Sequence, residues 1–473
     1  MTDPQINNAV EHMLFTDSAL SNNPIDARTS EGIVTLTGTT DNLMAKERAA
    51  KLAETLRGVR GVVNTLYVQV ALVPNDALRK DVESALRYDA ATDAYALKAE
   101  VTDGVVTLTG TVHSHLEKKL SVYVAKGVRG VKGVKDSITV TSKSDRPDSE
   151  IAAEVKRIIA IDAWLDPNFI ATDVKNGMVT LTGEVGSSAQ YERASLLAWT
   201  AGVKSVNVEG LKIEPWAKKI DQRTGMIAAK SDPDIKQAVQ DAFIYDARVL
   251  SFSPSVDVVS GVVTITGVVD NLRAKRAAEQ DAKNTVGAGR IVNLLKVRPV
   301  TPLPDDQIAR NLRSAFGRDA IVDGYQIDAK AKRGVVTLTG TVDSYYEKAQ
   351  ADDVASRAVG VIDVKDNLLV SQPSAVYYNT GYDPYWSFPS YYSYYDPSYY
   401  STWAYTSDAA VKNAIEYELF WSPFVHRDQV VVKVDNGVAT LTGTVDSWFA
   451  FNRATEDAYE GGARQVYNNL KVS

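Results

Sequence analysis

Short blocks of alternating apolar and polar residues recur along the chain, each flanked by helical patterns. In the block GIVTLTG, Val34 and Leu36 fall on one side of an extended chain, and Thr35 and Thr37 fall on the other. This period of two is typical of a strand with one buried face. Upstream, apolar residues three to four positions apart between residues 6 and 14 predict an amphipathic helix.

The block Gly-x-x-Thr-x-Thr-Gly occurs six times, with an underlying period of about 72 residues. Its first and last glycines are Gly32 and Gly38, Gly104 and Gly110, Gly177 and Gly183, Gly261 and Gly267, Gly334 and Gly340, and Gly437 and Gly443. We interpret these glycines as structural. The first supplies a positive φ for a hairpin turn, and the second indicates a close backbone approach, which we expect to be to a helix.

The same order of elements surrounds each block. An aspartate or asparagine is expected to cap a first helix, at Asp3, Asn75, Asp148, Asp232, Asp305 and Asp408. A second helix follows the strand, with capping signals such as Ser114-x-x-Glu117, and a last strand ends the unit. The sequence therefore predicts an α+β fold of six tandem α-β-β-α-β modules, each a three-stranded mixed sheet with two helices on one face.

The predicted modules differ in how they are joined. They span residues 1–73, 74–142, 147–214, 232–300, 304–371 and 407–473. A basic linker with a tryptophan occupies residues 215–231, and a tyrosine-rich insert occupies residues 372–406. A domain of about 60 residues buries only about 60% of the surface of its unfolded chain, so we expect neighbouring modules to lean on each other.

Composition excludes several classes of function. The 473 residues include no cysteine, which excludes disulfides, thiolate nucleophiles and cysteine-ligated metals. A net charge of −7 argues against nucleic acid as a partner. No apolar run approaches the roughly 20 residues that a transmembrane helix needs. Because no secretory leader pattern is visible, we expect a cytoplasmic location if Met1 is the natural start, and a periplasmic one if a signal peptide was removed.

No catalytic, cofactor-binding or metal-binding constellation stands out. His113 and His115 lie close together, but a stable metal site needs three or four ligands, so we interpret them as turn residues. An aspartate recurs after each first helix except the last, at Asp17, Asp89, Asp162, Asp246 and Asp319. These carboxylates indicate either an ion or partner contact or local turn hydrogen bonds.

The repeated unit resembles the BON domain, a family named after an osmotically inducible bacterial protein and nodulation proteins. The resemblance rests on the glycine-flanked strand between two helices and on the Gly-Val endings GVRGVVNTLYV at Gly58 and GVIDVKDNLLV at Gly360. It implies a non-enzymatic module, commonly in the bacterial envelope and linked to stress, for which phospholipid binding has been proposed. One similar protein is interpreted as a potassium-ion binder.

The linker offers a candidate lipid contact. Trp216 lies near Lys218, Lys219 and Arg223, a combination that suits an anionic membrane surface. An exposed linker whose tryptophan packs on a neighbour is the alternative.

The tyrosine-rich insert offers a candidate surface for self-association or partner binding. It holds eleven Tyr and two Trp but neither Lys nor Arg, and dense aromatic residues are typical of association surfaces. The candidate residues are Tyr377, Tyr378, Tyr385, Trp386, Tyr391, Tyr392, Tyr394, Tyr395, Tyr399, Tyr400 and Trp403. A flexible tether and seating at a membrane interface are the alternatives.

The leading functional hypothesis is a non-enzymatic, stress-associated binding or scaffold protein without a cofactor. It would contact anionic phospholipid or protein partners through repeated weak contacts. A self-assembling structural protein that forms an oligomer or filament is the alternative, and potassium-ion binding is a second one.

Overall fold

The computed structural model describes most of the six modules. The described residues are 2–214, 231–370 and 407–472, apart from residues 18, 21, 57, 72, 93–94, 142–145, 163–164, 201, 247, 250–251, 301, 323, 325, 344, 422–424, 426, 462 and 464. The sequence-predicted linker and tyrosine-rich insert therefore lie almost entirely outside the described residues.

Each module contains a first helix, a two-stranded hairpin, a second helix and a third strand. Modules one and two consist of α1 (Asp3–Thr16), β1 (Ile25–Ser30), β2 (Ile33–Thr40), α2 (Leu43–Glu54), β3 (Gly61–Asn64), β4 (Tyr67–Val68), α3 (Asn75–Tyr88), β5 (Leu97–Thr102), β6 (Val105–Val112), α4 (His115–Lys126) and β7 (Gly133–Val140). Modules three and four consist of α5 (Asp148–Ile161), β8 (Ile170–Lys175), β9 (Met178–Val185), α6 (Ser188–Leu197), β10 (Ser205–Ile213), α7 (Asp232–Tyr245), β11 (Ser255–Val259), β12 (Val262–Thr266), β13 (Val268–Val269), α8 (Leu272–Lys283), β14 (Arg290–Asn293) and β15 (Lys296–Val297). Modules five and six consist of α9 (Asp305–Arg318), β16 (Ile327–Lys332), β17 (Val335–Val342), α10 (Tyr345–Arg357), β18 (Asp363–Val370), α11 (Asp408–Trp421), β19 (Val430–Asp435), β20 (Val438–Val445), α12 (Trp448–Glu460) and β21 (Gln465–Val472).

The second hairpin strand is the centre of every sheet. In module two, β6 pairs antiparallel with β5 and parallel with β7, and the same order holds in the other modules. The parallel pairing is possible because the second helix returns the chain to the start of the sheet. These observations confirm the predicted α+β fold of repeated modules with mixed three-stranded sheets.

Each module has its own hydrophobic core between one sheet face and its two helices. In module one, Val34 and Leu36 are fully buried with Ile6 and Val10 of the first helix and Ala49 of the second helix. The alternation of the strand therefore positions both helices on one face and leaves the threonine face outside.

The hairpin turn in each module is a two-residue turn with both residues at positive φ. In module one these residues are Glu31, at φ 53°, and Gly32, at φ 74°. Such type I′ turns match the right-handed twist of the paired strands. The glycine adopts this φ without the steric cost that other residues incur.

The predicted N-cap role of the first aspartate in each module is wrong. Helix α1 begins at Asp3, with Thr2 as its N-cap. The carboxylate of Asp3 instead accepts hydrogen bonds from the backbone N–H groups of Glu31 and Gly32, at 2.7 and 2.9 Å. We call this contact the aspartate clamp, because it ties the start of the first helix to the hairpin turn.

The clamp recurs in four more modules. Asp148, Asp232, Asp305 and Asp408 each hold the two N–H groups of their own turn at 2.7–3.0 Å. These two hydrogen bonds lower the pKa of Asp305 below its usual value. Module two has Asn75 at this position.

The second recurring glycine lies against backbone rather than against a helix, so the expected helix contact is wrong. A Cβ on Gly38 would overlap the carbonyl oxygen of Pro24, the residue before β1. Gly183 meets the carbonyl oxygen of Phe169 in the same way. In module four there is more space at this position, because the nearest heavy atom to a Cβ on Gly267 would be 3.6 Å away.

The second helices of modules one, two and three contact each other head to tail. Glu47 of α2 forms an ion pair with Lys126 at the end of α4, at 2.7 Å. At the start of α4, His115 stacks on Trp199, which follows α6. The N–H of Ser188 at the start of α6 donates to the carbonyl oxygen of Val59, which follows α2. The contacts run from one to two, two to three and three to one, and we call this closed set the first ring.

Two of the three corresponding contacts are seen among the described residues of modules four, five and six, and we call these three modules the second ring. Arg276 of α8 pairs with Asp352 of α10, and Leu272 of α8 enters the core of module five. The N–H of Gly287 in module four donates to the carbonyl oxygen of Asp446 in module six at 3.0 Å. Module four therefore contacts module five through its second helix and module six through the residues after that helix.

The first helices join the two rings through paired modules. Between modules two and five, Asp89 forms a bridge with Ala358, and Asp319 forms a bridge with Val128. The exchange is reciprocal, which is the mark of a local twofold relation. Modules three and four pair in the same manner, because Asp162 forms a bridge with Thr285 and α5 contacts α7.

Replacement of Gly183 by alanine tests the close approach at the second glycine. The positive φ costs about 1–3 kcal/mol at either glycine, and the overlap at Gly183 adds about 1–3 kcal/mol. We therefore expect Gly183→Ala to lower the midpoint of thermal unfolding further than the matched control Gly267→Ala, and to increase hydrogen exchange in β8 and β9. Equal effects of the two substitutions would contradict the assignment.

Candidate binding surfaces and module interfaces

The sequence-predicted contact residues all lie outside the described residues. These are Trp216, Lys218, Lys219 and Arg223 of the linker, and the aromatic residues between Tyr377 and Trp403. The described residues instead show two other features, the polar interfaces between modules and the outer faces of the sheets.

The aspartate at the end of the first helix is buried in five modules. Asp17, Asp89, Asp162, Asp246 and Asp319 are between 1% and 7% exposed. One function of the side chain is local, since Asp89 accepts a hydrogen bond from the N–H of Ala91 at 2.9 Å. One hydrogen bond does not compensate the burial of a carboxylate, so each of these aspartates also needs a cation or another hydrogen-bond donor.

Three of these aspartates find the partner in their own module, 31 residues further along the chain. Arg48 binds Asp17 with nitrogen–oxygen distances of 2.6–3.0 Å, and Arg193 binds Asp162 at 2.7 and 3.0 Å. In module five the partner is the amide of Gln350, 2.8 Å from Asp319. Since Gln350 is neutral, burial leaves the pKa of Asp319 raised.

Asp89 takes its partner from another module. At the corresponding position module two has the apolar Leu120, which is fully buried. Asp89 instead pairs with Arg273 of module four, and both side chains are at most 7% exposed. This ion pair links the first ring to the second ring, and each charge is costly to leave alone.

Arg48 makes a related contact between the rings. Its guanidinium carbon lies 4.8 Å from the centroid of the Tyr346 ring in module five, which is a cation–π geometry. Burial raises the pKa of Tyr346 to about 12, so the phenol stays neutral. Tyr346 occupies the position in module five that Arg273 occupies in module four.

The interface between modules three and four is also rich in charge. Arg157 of α5 pairs with Asp241 of α7 at 2.5 Å. Nearby, Asp246 accepts hydrogen bonds from Arg248 at 2.9 and 3.0 Å. Burial, followed by the neighbouring charge of Asp246, raises the pKa of Asp281 well above its usual value. The first helices therefore meet through polar groups, whereas the module interiors are apolar.

The stack of His115 on Trp199 is a contact between modules two and three that the sequence did not predict. The ring centroids are 4.2 Å apart and the planes differ by 5°. Burial, with the nearby Lys119 and Lys118, lowers the pKa of His115 to about 4. The imidazole is therefore neutral at neutral pH and serves as an aromatic surface.

The outer sheet faces carry the recurring threonines and are open to solvent. Thr37, Thr182, Thr266, Thr339 and Thr442 are exposed. These five threonines are therefore not covered by a neighbouring module.

Modules one and four add apolar side chains to this open face. In module one, Ile33 is 44% exposed, Val63 47% and Tyr67 62%. In module four, Val268 and Leu294 are 47% and 55% exposed. Exposed apolar groups that lie together are typical of interaction sites.

The described residues carry no cluster of three or more His, Asp or Glu side chains that could hold a metal ion. Within the same part of the chain, every helix is too short or too polar to cross a bilayer.

Comparison with known protein families gives the identity of the repeated unit. The BON domain matches residues 2–70, 74–142, 147–215, 231–299, 304–372 and 407–473. The chain belongs to the BON-domain family. The six matches confirm the resemblance inferred from the glycine-flanked strand.

Two relatives from this family resemble part of the chain. Osmotically-inducible protein Y of Escherichia coli is 30% identical over 145 residues, which cover 29% of this chain and 72% of the relative. Outer membrane lipoprotein DolP of Haemophilus influenzae is 32% identical over 143 residues, which cover 28% of this chain and 72% of the relative. A solved structure of CdsD, a structural protein of the type III secretion system of Chlamydia trachomatis, is 12% identical with a TM-score of 0.13, and the match covers 47% of this chain and 99% of the solved chain.

Removal of the Asp89 carboxylate tests the ion pair between the rings. We expect Asp89→Ala to lower the free energy of unfolding by about 3–5 kcal/mol, because Arg273 stays buried without its partner. Glu83→Ala, which breaks the half-exposed ion pair with Arg79 on the same helix, should cost less than about 1 kcal/mol. Urea unfolding measures both values. The double variant Asp89→Ala/Arg273→Ala should be more stable than Asp89→Ala alone, and a purely additive result would contradict the pairing.

The neutral His115 predicts a pH-dependent first ring. The folded-state pKa of about 4 lies below the ordinary 6.5 of histidine, so the unfolded chain binds the proton more readily. Stability from this group is therefore complete above pH 6.5 and is lost as the pH falls from about 6.5 to about 4. His115→Phe retains an aromatic ring but does not titrate. We therefore expect the midpoint of thermal unfolding of this variant to depend less on pH between about 4 and 6.5 than that of the unaltered protein. The exposed His113→Phe should leave the profile unchanged, and a flat profile in the unaltered protein would refute the assignment.

Proposed function

We propose that this chain is a non-enzymatic binding or scaffold protein of the bacterial envelope, associated with osmotic stress. Its membership of the BON-domain family supports the proposal. So do the names of its relatives, one osmotically inducible and one an outer membrane lipoprotein. An envelope location corresponds to the periplasmic alternative of the sequence analysis.

The observation that carries the proposal is the exposure of threonines on the outer sheet faces of five of the six modules. The helices and the module interfaces lie on the opposite side of each sheet, so the threonine faces stay available to partners. Similar surfaces repeated along one chain favour repeated weak contacts, because each contact raises the effective concentration for the next. A partner with many identical groups, such as a membrane, suits this arrangement.

Phospholipid is the partner that we propose. The apolar residues Ile33, Val63 and Tyr67 on the outer face of module one offer an interfacial anchor, since tyrosine combines an apolar ring with a polar hydroxyl. The linker residues Lys218, Lys219 and Arg223 supply the positive charge that an anionic surface attracts, and Trp216 supplies an aromatic ring suited to the membrane interface. The net charge of −7 opposes long-range attraction, so binding should depend on these local groups.

Flotation with liposomes tests the lipid proposal. We expect the full chain to float with vesicles that contain phosphatidylglycerol at low salt, and less with pure phosphatidylcholine. Ile33→Ser/Val63→Ser/Tyr67→Ser should reduce the floating fraction by about half or more because it removes the anchor of module one. Thr107→Ser/Thr109→Ser on the polar face of module two is the matched control and should have no effect. Absence of flotation with anionic vesicles would remove phospholipid from the proposal.

Self-assembly is a second candidate function. Within the described residues each sheet pairs only inside its own module, so the outer edges of strands such as β7 and β18 stay available for pairing. The tyrosine-rich insert adds the proposed association surface between Tyr377 and Trp403.

Light scattering on the full chain and on a variant without residues 377–405 tests self-assembly. We expect the full chain to form oligomers and the deletion to reduce their mass. A monomer in both samples would exclude this candidate.

A further inference from the structure

A cavity of about 300 Å³ lies beside the hairpin turn of module two. Asn75 at the start of α3, the turn residues Asp103 and Gly104, and Lys132 line it on one side. Val73 and Pro74, from the connection between modules one and two, form an apolar side. Its volume is at the lower end of the range for small-molecule sites.

The turn at this cavity lacks the aspartate clamp of the other five modules. In those modules a carboxylate accepts both turn N–H groups at 2.7–3.0 Å. Asn75 has one carbonyl oxygen in place of two carboxylate oxygens, and it forms no such bond. Among the described residues the N–H groups of Asp103 and Gly104 have no acceptor in place of the clamp.

We propose that the hairpin turn of module two binds the carboxylate of an external ligand. The turn has the same backbone conformation as the other five turns, with Asp103 at φ 52° and Gly104 at φ 82°. Its two N–H groups therefore already have the orientation that binds a carboxylate in those turns. The five clamped turns show that this pair of donors holds a carboxylate with two oxygens. The external group would take the place that the clamp aspartate occupies elsewhere.

The charges around the cavity are compatible with an anion. The side chain of Lys132 packs over Gly104 and brings a positive charge to the cavity. Asp103 carries the opposing charge, but it is exposed, so solvent and salt screen it. The apolar side formed by Val73 and Pro74 suits a short aliphatic chain attached to the carboxylate.

Two sources of this carboxylate fit the chemistry. One is a free short-chain acid such as propionate, and the other is the C-terminus of a peptide. The inference does not depend on membrane binding, so failure of liposome flotation would leave it unaffected.

Amide chemical shifts of the full, ¹⁵N-labelled chain test the proposal. We expect titration with propionate to move the Gly104 amide signal in a saturable manner. The clamped Gly177 and Gly334 amides should not move, and they serve as references within the same molecule. Equal movement of Gly104 and Gly177 would overturn the assignment, and so would a stronger response of Gly104 to inorganic phosphate than to propionate.

Substitution of Asn75 supplies the matched variants. Asn75→Asp restores the clamp, so the Gly104 signal should shift without ligand, the response to propionate should disappear and the unfolding midpoint should rise. Asn75→Ala leaves the turn open and should retain the response. Binding that persists in Asn75→Asp would refute the proposal.

Two dipeptides distinguish the sources of the carboxylate. A dipeptide with a free C-terminus should bind more tightly than propionate if the natural ligand is a peptide end, and its C-terminal amide should not bind. If propionate binds more tightly than the dipeptide, the natural ligand is a free short-chain acid rather than the C-terminus of a peptide.

Discussion

The burial of a carboxylate at the end of the first helix in five of the six modules is the constraint on which the arrangement of the modules depends. A buried charge without a partner is unstable, so each of these five aspartates needs a cation or a hydrogen-bond donor. Module one uses Arg48 and module three uses Arg193, both from the second helix of the same module. Module two has Leu120 at that position, and its Asp89 depends on Arg273 of module four. One apolar substitution therefore makes module two dependent on a distant part of the chain.

The module interiors are apolar, whereas the interfaces between modules are polar and charged. Inside a module, apolar side chains such as Leu36 and Val10 exclude water and need no exact partner. Between modules, ion pairs such as Arg157–Asp241 have a defined geometry. Polar contacts of this kind discriminate between correct and incorrect neighbours. In a chain with six similar units, this discrimination favours one pairing over many alternatives.

The sequence was sufficient to predict the modules but not their mutual arrangement. The alternation around Val34 and Leu36 and the recurring glycines determine local backbone geometry, which depends on nearby residues. Asp3 was interpreted as a helix N-cap because aspartate just before a helical pattern is typical of that position. Its actual partners, the N–H groups of Glu31 and Gly32, lie 28 and 29 residues later in the sequence. The sequence could not predict the partner of Asp89, because no spacing or motif links Asp89 to Arg273 of module four. The repeated Arg48 and Arg193, each 16 residues after the first glycine of the strand, were the available signal.

The head-to-tail contacts of the first ring have a consequence for shortened forms of the protein. Each second helix uses its leading end on one neighbour and its trailing end on the other, and three such contacts close a circle within one polypeptide. A fragment that stops after module two would retain an unfilled leading surface at His115 and an unfilled trailing surface at Val59. Surfaces of this type from separate fragments fit one another, so the fragments would either complete the circle as mixed assemblies or polymerise. The presence of all these modules in one polypeptide therefore prevents this polymerisation.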